Sequence, residues 1–263
     1  LNEENIYQHF QADERRFIDR CLEWLNRVED SYAVISTSFL NPRELEILQT
    51  LANKRKVQLF SSQLLGEMEQ AKVILAPEFY RFDAEDFDLA LLEMSYASKF
   101  VQISHAQVLG TFLGQTGLKR QEVGDIIVAA DKVQIFVSKH VVEIFKAIEK
   151  VGRAAVKIRE ISLTELNSAP NQSVSEVVLV DNLRIDKIIA VAFKVSRNIA
   201  ANMLESNKIK INYLEIDKKN ISVGIGDLIS VRGFGRIKIS KVLGLTKKGK
   251  QKVELEIIKN HKR

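Results

Sequence analysis

Residues 4–29 repeat apolar side chains at helical spacing. Ile6, Phe10, Phe17, Ile18, Cys21, Leu22, Leu25 and Val28 fall near one face, and charges of both signs occupy the rest. A second helix opens at "NPRELEILQTLAN", with Asn41 as the N-cap and Pro42 in the first turn. The short apolar runs "VQLF" (57–60) and "KVILA" (72–76) predict strands. Residues 1–75 therefore read as a small N-terminal α/β unit with no chemical signal of its own.

The next segment changes period repeatedly. "FDLALLEMSY" (87–96) predicts a strand, and "HAQVLGTFLGQTG" (105–117) a helix closed by Gly117. "DIIVAA" and "KVQIFVS" predict two strands that turn at Ala130 and Asp131. "HVVEIFKAIEKVG" (140–152) predicts a helix stopped by Gly152, and "AAVKIREIS" (154–162) a last strand. The order β-α-β-β-α-β over 76–162 is the ferredoxin-like plan, shared by RNA-binding domains, enzymes and regulatory modules. An RNA-recognition sheet needs stacking aromatics on its central strands. The only candidates are Phe136 and Phe100, and both read more readily as core, so RNA contact by this domain stays open. The polar stretch from 163 to 180 reads as a linker.

From 181 to 245 the pattern tightens. Ile185, Ile188, Ile189 and Ala192 make the i, i+3, i+4, i+7 stripe of a helix capped by Asp181 or Asn182. A second helix starts after Ser196 and turns Ile199, Ala200, Met203 and Leu204 inward. Arg197 lies in its first turn, where the helix dipole disfavours a cation unless an anion such as phosphate compensates. "KIKIN" (208–212) alternates Lys208 and Lys210 with Ile209 and Ile211. In "ISVRGFGRIKIS" (229–240), odd positions Ile229, Val231, Ile237 and Ile239 share one face. Arg232, Phe234, Arg236 and Lys238 share the other, provided the glycines insert no bulge. Phe234 is either a stacking platform or a core residue. The fold class is α+β, and residues 246–263 form a basic C-terminal strand and tail, in which "TKKGKQK" reads as solvated.

Charge adds a partner. The chain of 263 residues carries +5, but residues 177–263 hold 19 Lys+Arg against 8 Asp+Glu, a net of +11. Residues 1–176 hold 20 against 26, a net of −6. A basic module on an acidic body points to a polyanion. Arg184, Lys187, Arg197, Lys208, Lys210, Arg232, Arg236 and Lys238 are the candidate RNA-binding cations, with Phe234 among them, because a cationic groove with a stacking ring suits single-stranded or looped RNA. One cysteine, Cys21, excludes an internal disulfide and fits a reducing compartment. No apolar run approaches the ~20 residues of a membrane span, and the polar, acidic start is unlike a secretory signal, so a cytoplasmic location without membrane attachment is expected.

Catalytic patterns are missing. "GFG" lacks the third glycine and the following helix of a dinucleotide site, and no G-x-S-x-G is present. The acidic cluster Asp83, Glu85, Asp86 and Asp88 could attract Mg²⁺ but reads better as a solvated turn. His9, His105, His140 and His261 have no metal-ligand spacing, and Cys21 reads as inert core. No catalytic residue, metal or cofactor is expected.

"LRIDKIIA…SRNIAANMLESNKIKIN…GDLISVRGFGRIKI" resembles the RNA-binding domain named after ribosomal protein S-four, over about 60 residues. It departs from that pattern at Asn207, where glycine is usual, and at Tyr213, where Asn-Gly is usual. "NPRE", "FDLALLEM", "QVLGTFLGQTGLKRQEVGDI" and "VRGFGR" together resemble the YlmH family of bacterial proteins across nearly the entire chain. That resemblance implies a non-enzymatic protein that binds ribosomal RNA or tRNA at the large ribosomal subunit. It also implies a role in rescue of stalled translation, and a connection to cell-division proteins. Two other readings stay open: an RNA-modifying enzyme whose catalytic unit is the N-terminal half, and a cell-division scaffold acting through the acidic first 176 residues.

Overall fold

The computed structural model describes residues 10, 12–167, 173–216 and 220–259. Ile6, His9 and His261 lie outside them. The chain divides into two compact units, Leu1–Pro170 and Asn171–Arg263.

The first unit begins with helix α1 (Arg15–Ser31), which buries Ile18, Cys21, Leu22, Leu25 and Val28 as the stripe predicts. Burial pushes the Cys21 thiol up to about 12, so the group is a neutral core atom. Helix α2 (Pro42–Ala52) starts at a reciprocal cap: the Asn41 side chain accepts the Arg43 and Glu44 N–H groups, and the Glu44 carboxylate accepts the Asn41 N–H at 2.8 Å. Both helices cover a three-stranded antiparallel sheet ordered β1 (Ile35–Ser36), β3 (Val73–Pro77), β2 (Val57–Ser61).

The ferredoxin-like expectation holds in the same unit. Strands β4 (Leu89–Tyr96), β5 (Val123–Val128), β6 (Lys132–Ser138) and β8 (Ala154–Ile161) form an antiparallel sheet ordered β5-β6-β4-β8, with the two-residue β7 (Lys150–Val151) at the edge. Helices α3 (His105–Thr116) and α4 (Val142–Lys146) pack on one face, around Phe112 and Phe145. The predicted 140–152 helix is cut short. Lys150–Val151 turn back onto Ala154–Ala155 around Gly152, whose φ of +58° makes it a hairpin residue rather than a helix stop. Phe100, expected in the core, is 87% exposed, whereas Phe136 is buried.

The second face of this sheet is covered. Leu91, Ile127, Phe136 and Ile161 pack under Phe39, Met68, Leu163 and Leu166. A Cβ on Gly124 would lie 2.5 Å from the Phe39 ring, so the close approach requires glycine. Asp125 accepts the Glu69 and Gln70 N–H groups. The Lys72 ammonium donates to the Asp88 carbonyl, the Asp88 carboxylate and Ser138 Oγ at 2.9, 3.1 and 3.2 Å. Burial of its stem and head pushes Lys72 downward despite Asp88. The acidic stretch is engaged: Asp83 accepts the Glu85 N–H, Asp86 accepts the Tyr80 hydroxyl, Glu85 pairs with Lys139, and Asp88 takes Lys72 and His140.

On the same face Glu93 accepts from Lys132 at 2.8 Å and Arg159 at 2.7 Å. Those bonds, Lys132 first, hold its carboxyl down from 4.5 to about 2. A depressed carboxyl stabilises the fold above its unfolded pKa and ceases to do so as pH falls through the folded one. Glu93 is buried but its cationic partners face solvent, so the contribution is on the order of 2 kcal/mol. The urea-derived stability gap between wild type and Glu93→Gln is expected to be of that size at pH 7 and to shrink to less than half at pH 3. An equal gap at both pH values would refute the linkage.

The second unit is a six-stranded antiparallel sheet under two helices, α5 (Ile185–Phe193) and α6 (Arg197–Glu205). The order is β11 (Leu214–Glu215), β10 (Ile209–Ile211), β12 (Leu228–Val231), β13 (Gly235–Leu245), β14 (Gln251–Lys259), β9 (Val174–Val180). Strand β9 lies within the stretch expected to be a linker: Val178 and Val180 are buried, and the strand pairs with β14 from Gln251↔Val180 to Ile257↔Val174. Ile185, Ile188, Ile189 and Ala192 meet Ala200, Met203 and Leu204 over Ile229, Ile237, Ile239, Val253 and Leu255. Ile199, expected inward, is 46% exposed. The β10–β11 turn holds Asn212 and Tyr213 at φ +49° and +72°, a two-residue reversal with both residues left-handed. Asn212 stabilises it by donating to Asp227 Oδ1 and accepting the Leu228 N–H.

Candidate nucleic-acid interface

The parity predicted for 229–240 is realised for the core. Ile229, Val231, Ile237 and Ile239 are at most 2% exposed. The polar side is not one continuous row. The chain reverses between Val231 and Gly235, which are paired, so Arg232, Gly233 and Phe234 form a turn. The glycines do insert the irregularity that would break the parity. Phe234 is half-buried in that turn, its ring 5.6 Å from Phe193 and packed on the core. Of its two readings, packing is the one the geometry displays.

The cations fall into three groups. Lys210, Arg236 and Lys238 stand on the sheet face opposite the helices, where register aligns Lys210↔Ser230↔Arg236 and Leu228↔Lys238↔Glu256. Acids share that face: Lys210 pairs with Glu215 at 3.3 Å, and Lys241 with Glu254 at 3.7 Å. Lys208 and Arg232 form the second group. The Arg232 N–H donates to the Lys208 carbonyl at 2.8 Å, placing both exposed residues side by side where β10 and β12 meet. Among the described residues, neither Lys208, Arg232 nor Lys238 has an ion-pair partner.

The third group surrounds one carboxylate in the helical layer. Asp181 Oδ2 lies 3.3 Å from Lys187 Nζ and 3.5 Å from Arg197, and Oδ1 lies 4.0 Å from Lys250. These cations, Lys187 first, hold the Asp181 carboxyl below its ordinary value. Neither Asp181 nor Asn182 caps α5, whose N-cap position is Arg184. Asp181 supplies the counter-charge that Arg197 needs at the α6 N-terminus, while Ser196 caps that helix by accepting the Ile199 N–H, as expected. Arg184 makes a two-pronged bond to Asp186 at 3.0 and 3.2 Å, and its backbone bridges to Ser222. The single shared patch expected of eight cations is thus replaced by three groups and a separately paired Arg184, because the helices and the polar strand side chains lie on opposite sides of the sheet.

Sequence reasoning passed over Lys250. Its segment is solvent-exposed, as expected, but is a built turn between β13 and β14 rather than a tail. The Thr246 N–H donates to the Lys250 carbonyl, Thr246 Oγ1 accepts the Lys250 N–H, and Gly249 sits at φ +77°. A Thr-x-x-Gly turn between two apolar alternating runs was the available signal.

Two family models match the chain. "YlmH, N-terminal" covers residues 13–80, and "Putative RNA-binding domain in YlmH" covers residues 83–165. A Bacillus subtilis (strain 168) protein named ribosome-associated protein quality control protein P2 is 36% identical over 253 residues, 96% of this chain and 98% of the relative. The chain belongs to the YlmH family. A solved structure, cell division protein ylmH from Streptococcus pneumoniae, is 35% identical with a TM-score of 0.55, spanning 62% of this chain and 99% of that one. The family membership read from the sequence motifs is therefore shown. Among the described residues, no helix is long and apolar enough to cross a membrane.

Proposed function

We propose that this YlmH-family chain is a cytoplasmic, non-enzymatic RNA-binding protein. It contacts ribosomal RNA or tRNA on the large ribosomal subunit during rescue of stalled translation, chiefly through its C-terminal unit. The observation that carries the reading is the net charge of +11 over residues 177–263, together with a folded unit in which, among the described residues, Lys208, Arg232 and Lys238 have no carboxylate partner. The name of the B. subtilis relative supports the ribosomal setting. The family description of residues 83–165 supports RNA as the ligand. In that domain the central sheet positions are already packed under Phe39 and Met68, so base stacking on Phe136 is not the route. The division link comes from the name of the S. pneumoniae neighbour and would run through other partners.

The test is co-sedimentation of the full chain with purified large subunits across a salt series. About five neutralised phosphates give a slope of log K against log[salt] near −3.5. Sedimentation that ignores salt, or absence of binding at low salt, would remove the polyanion reading. A changed nucleoside mass in ribosomal RNA after incubation would instead favour an RNA-modifying enzyme.

A further inference from the structure

Asp181 is an exposed carboxylate at the junction of β9 and α5, and three cations from three different elements converge on it: Lys187 from α5, Arg197 from the first turn of α6, and Lys250 from the β13–β14 turn. None of the three pairs with any other carboxylate among the described residues. The cluster therefore carries a net charge of +2 around one carboxylate. Charge-assisted bonds from nitrogen to carboxylate normally close to about 2.7–2.9 Å. Here the three separations are 3.3, 3.5 and 4.0 Å, all longer than that, so Asp181 holds none of the three donors in a tight charge-assisted bond. The α6 N-terminus adds a field that favours an anion at the same place.

We propose that Lys187, Arg197 and Lys250 form a phosphate site of which Asp181 is the resident counter-ion, displaced when an RNA phosphate binds. The inference rests on the RNA-binding reading above and adds a device to it. A phosphodiester has the same single charge as Asp181 but a broader, tetrahedral set of acceptors, so exchange conserves charge while improving the fit to three donors. Asp181 then lowers the affinity for any RNA that cannot place a phosphate there, which makes it a residue of selectivity rather than of attraction.

The experiment titrates the full chain against a fluorescein-labelled 20-nucleotide RNA stem-loop by anisotropy, in a KCl series around 0.1 M. Asp181→Asn is expected to bind roughly five- to tenfold more tightly at 0.1 M KCl, because no carboxylate has to be displaced, with little change in salt slope since the same phosphate is contacted in both proteins. Asp181→Glu keeps the counter-ion and should track the wild type. Asp181→Asn combined with Lys250→Ala should fall back toward wild-type affinity. If the wild type binds and Asp181→Asn, shown folded by circular dichroism, binds equally or more weakly, the carboxylate orders the cations instead of competing, and this inference alone is overturned. If neither protein binds the stem-loop at any salt, the RNA reading falls and the phosphate site falls with it.

Discussion

Gly235→Ala is expected to unfold the C-terminal unit. Gly235 has φ +137°, and a Cβ built there would lie 1.9 Å from the Ile258 carbonyl oxygen, 3.0 Å from its carbon and 3.1 Å from the Lys259 Cα. All three are backbone atoms of the neighbouring strand, so no side-chain rotation relieves the clash. Strands β13 and β14 would have to separate at the end where Gly235↔Lys259 and Arg236↔Ile258 pair. Those strands carry Ile237, Ile239, Leu255 and Ile257, the floor on which α5 and α6 pack. The cost is expected to exceed about 4 kcal/mol, the range reached when strained backbone and lost core packing combine. Hydrogen exchange reads this directly: amides of β12–β14 should lose protection while those of β4, β6 and β8 keep theirs. Gly233→Ala is the control. Gly233 is also left-handed, at φ +86°, but nothing lies within 4 Å of its missing Cβ, so the cost should stay near 1–2 kcal/mol. Equal melting of Gly235→Ala and wild type would show that β14 does not lie against Gly235.

The same turn shows what sequence can and cannot disclose. Burial of Ile229, Val231, Ile237 and Ile239 follows from local alternation, because every second side chain of a half-buried strand must face the core. The helix stripes and the caps at Asn41 and Ser196 are equally local. So is the ferredoxin-like order, since each element carries its own period. The errors arise where a distant segment decides. Lys150–Val151 continue an apolar helical stripe that includes Val142, Phe145 and Ile148, yet they pair with Ala154–Ala155 once Gly152 reverses the chain. Residues 174–180 follow a polar stretch and become a strand because β14 offers them an edge. The site suffered most from this. Which cations are neutralised depends on Asp181 meeting Lys250 and on Lys210 meeting Glu215, pairings set by topology. The charge surplus was legible in composition; its division into three groups was not.

That division makes the second large effect specific. Lys208→Glu with Arg232→Glu is expected to weaken binding of the full chain to the same RNA stem-loop by about 50-fold or more at 0.1 M KCl, and to flatten the salt slope by about 1.4–1.8. Each lost phosphate contact removes about 0.7–0.9 of slope, and the two new carboxylates add repulsion. The members of this pair are adjacent and exposed and, among the described residues, have no carboxylate to satisfy them, so their charge is available to a ligand. The folded state should tolerate the change, since neither side chain is in the core and surface substitutions typically cost within about 0.5 kcal/mol. Arg184→Gln supplies the contrast. Its guanidinium already holds Asp186 in two bonds, so RNA gains little from it, and the substitution should change binding less than about threefold while lowering stability through the unpaired Asp186. The opposite ranking, with Arg184→Gln abolishing binding and the Lys208/Arg232 double reversal leaving it intact, would take the sheet-end pair out of the interface and make Arg184 a principal contact despite its bond to Asp186.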